Sequence, residues 1–211
     1  MAKRGRKTAK RPSRGSERGR QVEPVGLRIV GGKFRGRKLA YGGDLGVRPM
    51  KDRTREAIYN LIGPPVRGML AIDLFAGTGA MALEALSRGA VRAVLIERHL
   101  PTARVIRENM ATLEVADRCE LLTADAFRWA AGPPPSGDEP WLVFCCPPYD
   151  FFVNRLDDML ALIGSMLDAA PPRSAVVVES DDRFDHALLP QPEAWDNRRY
   201  FPALVSLYWK P

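Results

Sequence analysis

Apolar residues in this chain are bunched, and the spacing of the bunches changes along its length. Residues 1–25 show no apolar periodicity and are expected to be a disordered tail. Two short runs, 27–30 and 33–40, flank Gly31-Gly32 and predict a small β-hairpin. A Gly/Pro loop over 42–49 follows. Asp52 then stands where it could cap a helix from about 53 to 62, with Ala57, Ile58, Leu61 and Ile62 on one face, before Gly63-Pro64-Pro65 ends it. Beyond that point strands near 69–74, 92–96, 118–122, 141–145 and 174–179 alternate with helices near 80–88, 101–112, 125–131 and 153–168. Alternation of this kind predicts an α/β fold with a mainly parallel sheet covered on both faces. The last two strand-like runs, 198–201 and 204–209, are separated only by Pro202-Ala203 and predict a closing antiparallel hairpin. A seven-stranded sheet, mostly parallel with an antiparallel C-terminal hairpin, fits this order better than a dinucleotide-binding sheet does. The expected organisation is a tail over 1–25, a basic hairpin-and-helix extension over 26–65, and a catalytic domain over 66–211.

Charge changes the picture in one respect. Residues 1–55 hold 18 of the 32 Lys/Arg and only four of the 25 Asp/Glu, so the rest of the chain is acidic although the whole carries +7. A basic arm on an acidic body suits a polyanion partner. Arg28, Lys33, Arg35, Arg37, Lys38, Arg48, Arg53 and Arg55 are the candidate RNA contacts; a solvated charged hairpin is the plainer alternative. The chain has no apolar run of membrane-spanning length and no apolar stretch of a signal peptide behind its basic start. Cys119, Cys145 and Cys146 form an odd set without CxxC spacing, which argues against a disulfide framework or a metal site. A reduced, cytoplasmic protein is expected, with no metal and no membrane association.

Candidate chemistry sits where strands end. The segment Asp73-Leu74-Phe75-Ala76-Gly77-Thr78-Gly79 joins a strand to a helix. Its glycines allow close backbone approach to a ligand, and the loop's N–H groups face it. Asp73 is placed to meet a cationic group of a cofactor, or else only to cap the next helix. Glu97 ends the next strand, at the place of an acid that accepts from ribose hydroxyls. Asp125, followed by Ala126, could receive an adenine amino group, cap a helix, or do both. With Phe75, Gly77 and Gly79 these make the cofactor set. The glycine loop alone also fits a dinucleotide site. It is sharpened by Cys146-Pro147-Pro148-Tyr149 after a later strand, where the prolines stiffen a loop and Tyr149 could stack on a flat substrate. Together they point to S-adenosylmethionine and methylation of an exocyclic base amine.

The blocks from Leu27 to Leu39, Val47-Arg48-Pro49, Asp52-Arg53-Thr54-Arg55-Glu56 and the glycine loop resemble the bacterial RsmD-type family of 16S rRNA guanine-N2 methyltransferases. The resemblance implies the class I S-adenosylmethionine-dependent (Rossmann-like) fold, that cofactor, a role in rRNA methylation and processing, and small-subunit rRNA or an assembly intermediate as partner of a monomer. It departs at one position. The family has Asp or Asn before Pro-Pro-Tyr/Phe, and here Cys146 stands there; a thiol is a weak acceptor for amine hydrogens. The Pro147 carbonyl could take part of that role. Three rivals stay open: a methyltransferase for another RNA or DNA base, an rRNA-binding assembly factor with weakened catalysis, and a nicotinamide oxidoreductase.

Overall fold

The computed structural model describes residues 26–42 and 49–211, so the expected tail and Arg48 lie outside the described residues. Seven strands form one sheet: β1 (Leu70–Asp73), β2 (Arg92–Ile96), β3 (Cys119–Leu122), β4 (Trp141–Cys145), β5 (Ala175–Ser180), β6 (Trp195–Tyr200) and β7 (Ala203–Trp209), in the order β3-β2-β1-β4-β5-β7-β6. The first five are parallel; β7 runs antiparallel between β5 and β6. This is the expected sheet. Its order reverses between β1 and β4, which opens a crevice at the carboxyl ends of those strands.

The central strands are continuous apolar runs because both their faces are covered. Ala71, Leu142, Phe144 and Val177 point into one core, shared with α1 (Asp52–Ile62), α2 (Ala80–Ser87) and α3 (Leu100–Thr112). Leu70, Ile72, Val143, Val176 and Val178 point into the other, under α4 (Ala126–Ala130), α5 (Phe151–Asn154) and α6 (Leu156–Ala169). The N-terminal extension is part of the first core: Leu27, Ile29, Phe34, Leu39, Ile58 and Tyr59 are all buried in it.

The extension docks through polar anchors on α2 and α3. Glu84, fully buried, accepts from the Val30 N–H at 2.7 Å and the Arg88 Nε at 2.8 Å, and its carboxylate lies 3.7 Å from the Arg55 Nε. The Asn109 side chain accepts the Ala40 N–H at 2.6 Å and donates to the carbonyls of Ala40 and Thr78, both at 3.1 Å. Tyr59 reaches the Met81 carbonyl at 2.5 Å, with the Arg88 guanidinium over its ring at 4.8 Å.

Four local expectations are corrected. Residues 27–40 pair by a single bridge, Arg28 with Lys38, and the turn occupies 31–36 rather than Gly31-Gly32 alone. The cause is Ser87 at the end of α2, which takes the Lys33 N–H on its carbonyl and the Phe34 N–H on its hydroxyl. A side chain at Gly32 would stand 2.0 Å from that carbonyl, so only glycine fits there. Asp52 opens α1 without capping it and spends its carboxylate on Arg28 at 3.0 Å and Arg55 at 2.8 Å. The helix expected over 153–168 breaks at Arg155, whose guanidinium lies 3.9 Å from the Phe127 ring centre. Finally, β6 starts at Trp195, three residues earlier than its hydrophobic pattern implies.

Candidate active site

A cavity of about 650 Å³ opens at the carboxyl ends of β1, β2, β4 and β5, within the size range of sites for small organic ligands. Asp73, Phe75, Gly77, Glu97, Asp125, Ala126, Cys146, Pro147, Pro148 and Tyr149 all line it. Strand ends bring these side chains together from four separate parts of the sequence.

Asp73 is buried, and its Oδ2 has no hydrogen-bond partner. Burial pushes its carboxyl up to about 7, with the Glu97 carboxylate adding to the shift and the backbone N–H groups of Ala82 and Phe75 opposing it. An orphaned buried carboxylate oxygen facing a cavity asks for a cationic donor. Glu97 is held by the N–H of Gly77 at 2.9 Å and of His99 at 2.8 Å, so the glycine loop is tied to the end of β2. Asp125 caps α4, its Oδ1 taking the N–H groups of Phe127 and Arg128. Phe75, expected in the cofactor set, belongs to an aromatic wall of the cavity whose other members, Phe127 and Phe151, the sequence does not single out. Phe75 meets Phe127 and Phe151 edge-on at 6.0 and 5.9 Å, and the latter two stack at 6.2 Å. Such a wall suits a flat ring. The set fits S-adenosylmethionine: Asp73 for an ammonium, Glu97 for ribose hydroxyls, Asp125 and the three rings for adenine.

Gly79 does not line the cavity, which corrects its place in the cofactor set. It adopts φ +76 at the entry to α2, and a Cβ there would meet Ile106 and Leu95 at 3.2 Å, inside the core. Gly79→Ala should therefore act through the backbone, lowering the unfolding free energy by about 1–3 kcal/mol in urea titrations.

The acceptor side is built by the β4 and β5 ends. The Tyr149 hydroxyl donates to the Glu179 Oε1 at 2.9 Å, and burial pushes the Glu179 carboxyl up to about 6, with that hydrogen bond opposing. Burial, then the neighbouring Glu179 carboxylate, raises the Cys146 thiol well above its ordinary value, so the thiol is uncharged. α5 takes the carbonyls of Pro148 and Tyr149, not that of Pro147. Arg183 clasps the rim, binding Asp150 and Asp181 at 2.8 Å each. Phe201, 84% exposed, stands beside the lining residues Pro202 and Ala203.

The basic set divides. Arg28, Lys33, Arg35, Arg37, Lys38 and Arg53 are exposed. Lys33 and Arg37 line a second cavity beside the end of α2, at the opposite end of the sheet from the first. Arg55 is corrected: it is fully buried, bonded to Asp52 and to the carbonyls of Met50 and Arg28, and unable to reach a phosphate.

Comparison with known proteins then decides the family. The one described as conserved hypothetical protein 95 matches residues 27–208. The chain belongs to that family, of the RsmD type. It is 36% identical over 137 residues to the Escherichia coli protein named ribosomal RNA small subunit methyltransferase D, an alignment covering 63% of this chain and 67% of that one. The solved Escherichia coli chain yhhF superposes with a TM-score of 0.71 at 29% identity, over 88% of this chain and 98% of that one. An RNA methyltransferase from Salinibacter ruber, solved with S-adenosyl-L-homocysteine, shares the fold at a TM-score of 0.57 and 20% identity, over 78% and 94%. Like these relatives, this family member has the class I methyltransferase fold, and its 27–42 segment lies within the family match.

Proposed function

We propose that this protein methylates the N2 amine of a guanine in 16S rRNA of the small ribosomal subunit, using S-adenosylmethionine. The observation that carries the reading is the single cavity that gathers Asp73, Glu97 and Asp125 on one side and the Cys146 to Tyr149 loop on the other, in a chain of this family. When bound, S-adenosylmethionine supplies a methyl group activated by a sulfonium. The chain's own residues do the rest by placement. Asp73 holds the methionine end of the cofactor and Glu97 its ribose, Asp125 and the aromatic wall hold its adenine, and Tyr149 offers a face on which an extruded base stacks. The three cysteines are not needed as nucleophiles, because an exocyclic amine carries its own lone pair. Mapping N2-methylguanine in 16S rRNA from strains with and without the gene tests the reading; an unchanged map overturns it. Cys146 is the observation that favours the second reading, an assembly factor with weak catalysis. That reading expects small-subunit binding without labelling from radioactive S-adenosylmethionine.

The exposed basic residues serve as rRNA phosphate contacts in this scheme, with Arg55 excluded. Lys38→Ala with Arg53→Ala should flatten the dependence of RNA affinity on log salt by about two units, one for each lost contact. Filter binding between low and moderate salt measures it, and an unaltered slope places the RNA on another face.

A further inference from the structure

In β5 Glu179 follows the apolar run Ala175 to Val178, one residue before the strand ends at Ser180, and is itself buried at 8% exposure. Its neighbour across the sheet is the end of β4. The register pairs Cys145 with Val178, so Cys146, one residue past the end of β4, falls beside Glu179, and both line the cavity. Among the described residues no Lys or Arg pairs with Glu179; the nearby Arg183 is engaged by Asp150 and Asp181. A buried carboxylate without a counter-charge is expensive to keep unless donors meet it. One donor is present, the Tyr149 hydroxyl on Oε1, which leaves Oε2 for a ligand in the cavity.

Resting on the function proposed above, we propose that Glu179 supplies the hydrogen-bond acceptor for the guanine N2 amine that Cys146 does not, and is thereby a catalytic residue. An ionised carboxylate is a strong acceptor where a thiol is a weak one. Taking the amine hydrogens on the β5 side turns the nitrogen lone pair away from Glu179 and toward the Asp73 side, where the methyl donor binds. The same contact selects the base. Guanine presents N1–H and N2–H side by side, both donors to a carboxylate, whereas adenine presents an unprotonated N1 that a carboxylate repels. The Tyr149 bond serves the same arrangement, since the stacking ring and the acceptor hold each other in place.

Cys146 and Tyr149 from the β4 end interact with Glu179 directly, Asp181 and Arg183 follow it in its own loop, and Lys51, Asp73, Glu97, Arg98, His99, Asp125 and Asp150 line the same cavity. With its carboxyl raised to about 6 by burial, Glu179 is ionised at neutral pH and protonates just below it.

Single-turnover methylation of small-subunit particles from a strain lacking the gene, with labelled S-adenosylmethionine, tests the assignment. Glu179→Ala (E179A) should lose on the order of 100-fold in rate, Glu179→Gln about tenfold, and Tyr149→Phe only about threefold, since it keeps both ring and carboxylate. Moving the carboxylate to the neighbouring strand in Cys146→Asp/Glu179→Ala should recover roughly tenfold over E179A. The wild-type rate should rise with pH through an inflection near 6 that E179A lacks. Calorimetric S-adenosylmethionine affinity, unchanged in each variant, reports that the fold is intact, and Glu179→Gln carries the test if E179A does not fold. An E179A rate within about threefold of wild type overturns the proposal, as does a Tyr149→Phe rate as low as E179A without rescue, because Glu179 would then only anchor the tyrosine. A wild type that binds cofactor but labels no particle overturns the proposed function instead.

Discussion

Replacing Glu84 with alanine should destabilise the protein by about 3–5 kcal/mol, the range for breaking a buried ion pair from one side. The reason is the number of groups that depend on one carboxylate. Glu84 and Arg55 are both fully buried, and the Arg55 Nε has no hydrogen-bond partner, only the Glu84 charge at 3.7 Å. Losing Glu84 also strands the Val30 N–H, which it accepts at 2.7 Å, and removes the partner of Arg88. Asp52 would still neutralise part of Arg55, which keeps the loss from being larger. Glu84→Gln should cost less, because an amide oxygen can still take the Val30 N–H. Urea unfolding followed by circular dichroism measures both; a loss below about 1 kcal/mol for Glu84→Ala would mean that the extension is held by its apolar contacts alone.

The central parallel strands β1, β4 and β5 were legible because a strand buried on both faces is a mainly apolar run, and such runs leave little choice of position. β6 starts earlier than its apolar pattern implies because it is an edge strand: Asp196, Asn197, Arg198 and Arg199 are exposed, a polar edge that discourages pairing with other chains and erases the hydrophobic signal. Arg55 stands in a basic run that suggests RNA contact, yet helical spacing sets it three and four residues before Ile58 and Tyr59, on the buried face. Glu179 is not among the expected site residues although it resembles Asp73, an acid directly after an apolar run near a strand's carboxyl end. What the sequence could not convey was the pairing of β4 with β5, which alone makes Glu179 and Cys146 neighbours. The aromatic wall was hidden for a similar reason, since Phe75 comes from the loop after β1, Phe127 from α4 and Phe151 from α5.

Replacing Asp73 with asparagine should move stability and cofactor binding in opposite directions. In the unliganded protein the Asp73 carboxyl stands at about 7, above its ordinary value of 3.8, so the folded state holds a proton that the unfolded chain has released. The stability this confers is complete below about pH 4 and is lost as pH rises through 7, which leaves Asp73 a burden of up to about 4 kcal/mol above that pH. Asparagine has the same shape, can still accept from the backbone N–H groups of Ala82 and Phe75, and carries no charge. Asp73→Asn should therefore unfold at a higher urea concentration than wild type at pH 8, with the gap closing by pH 5. Cofactor binding runs the other way. An ammonium group meeting the unpartnered Oδ2 favours the ionised carboxylate, so wild-type affinity for S-adenosylmethionine should climb about tenfold per pH unit up to roughly 7 and then level off. Binding below that pH should release a proton, seen as a dependence of the calorimetric enthalpy on the buffer's own ionisation enthalpy. Asp73→Asn should bind more weakly at pH 8 and show neither the pH rise nor the proton release. An affinity that is flat between pH 5.5 and 8 in the wild type would remove Asp73 from the ammonium site, and a variant both stabilised and fully competent to bind would show that its burial serves some other ligand.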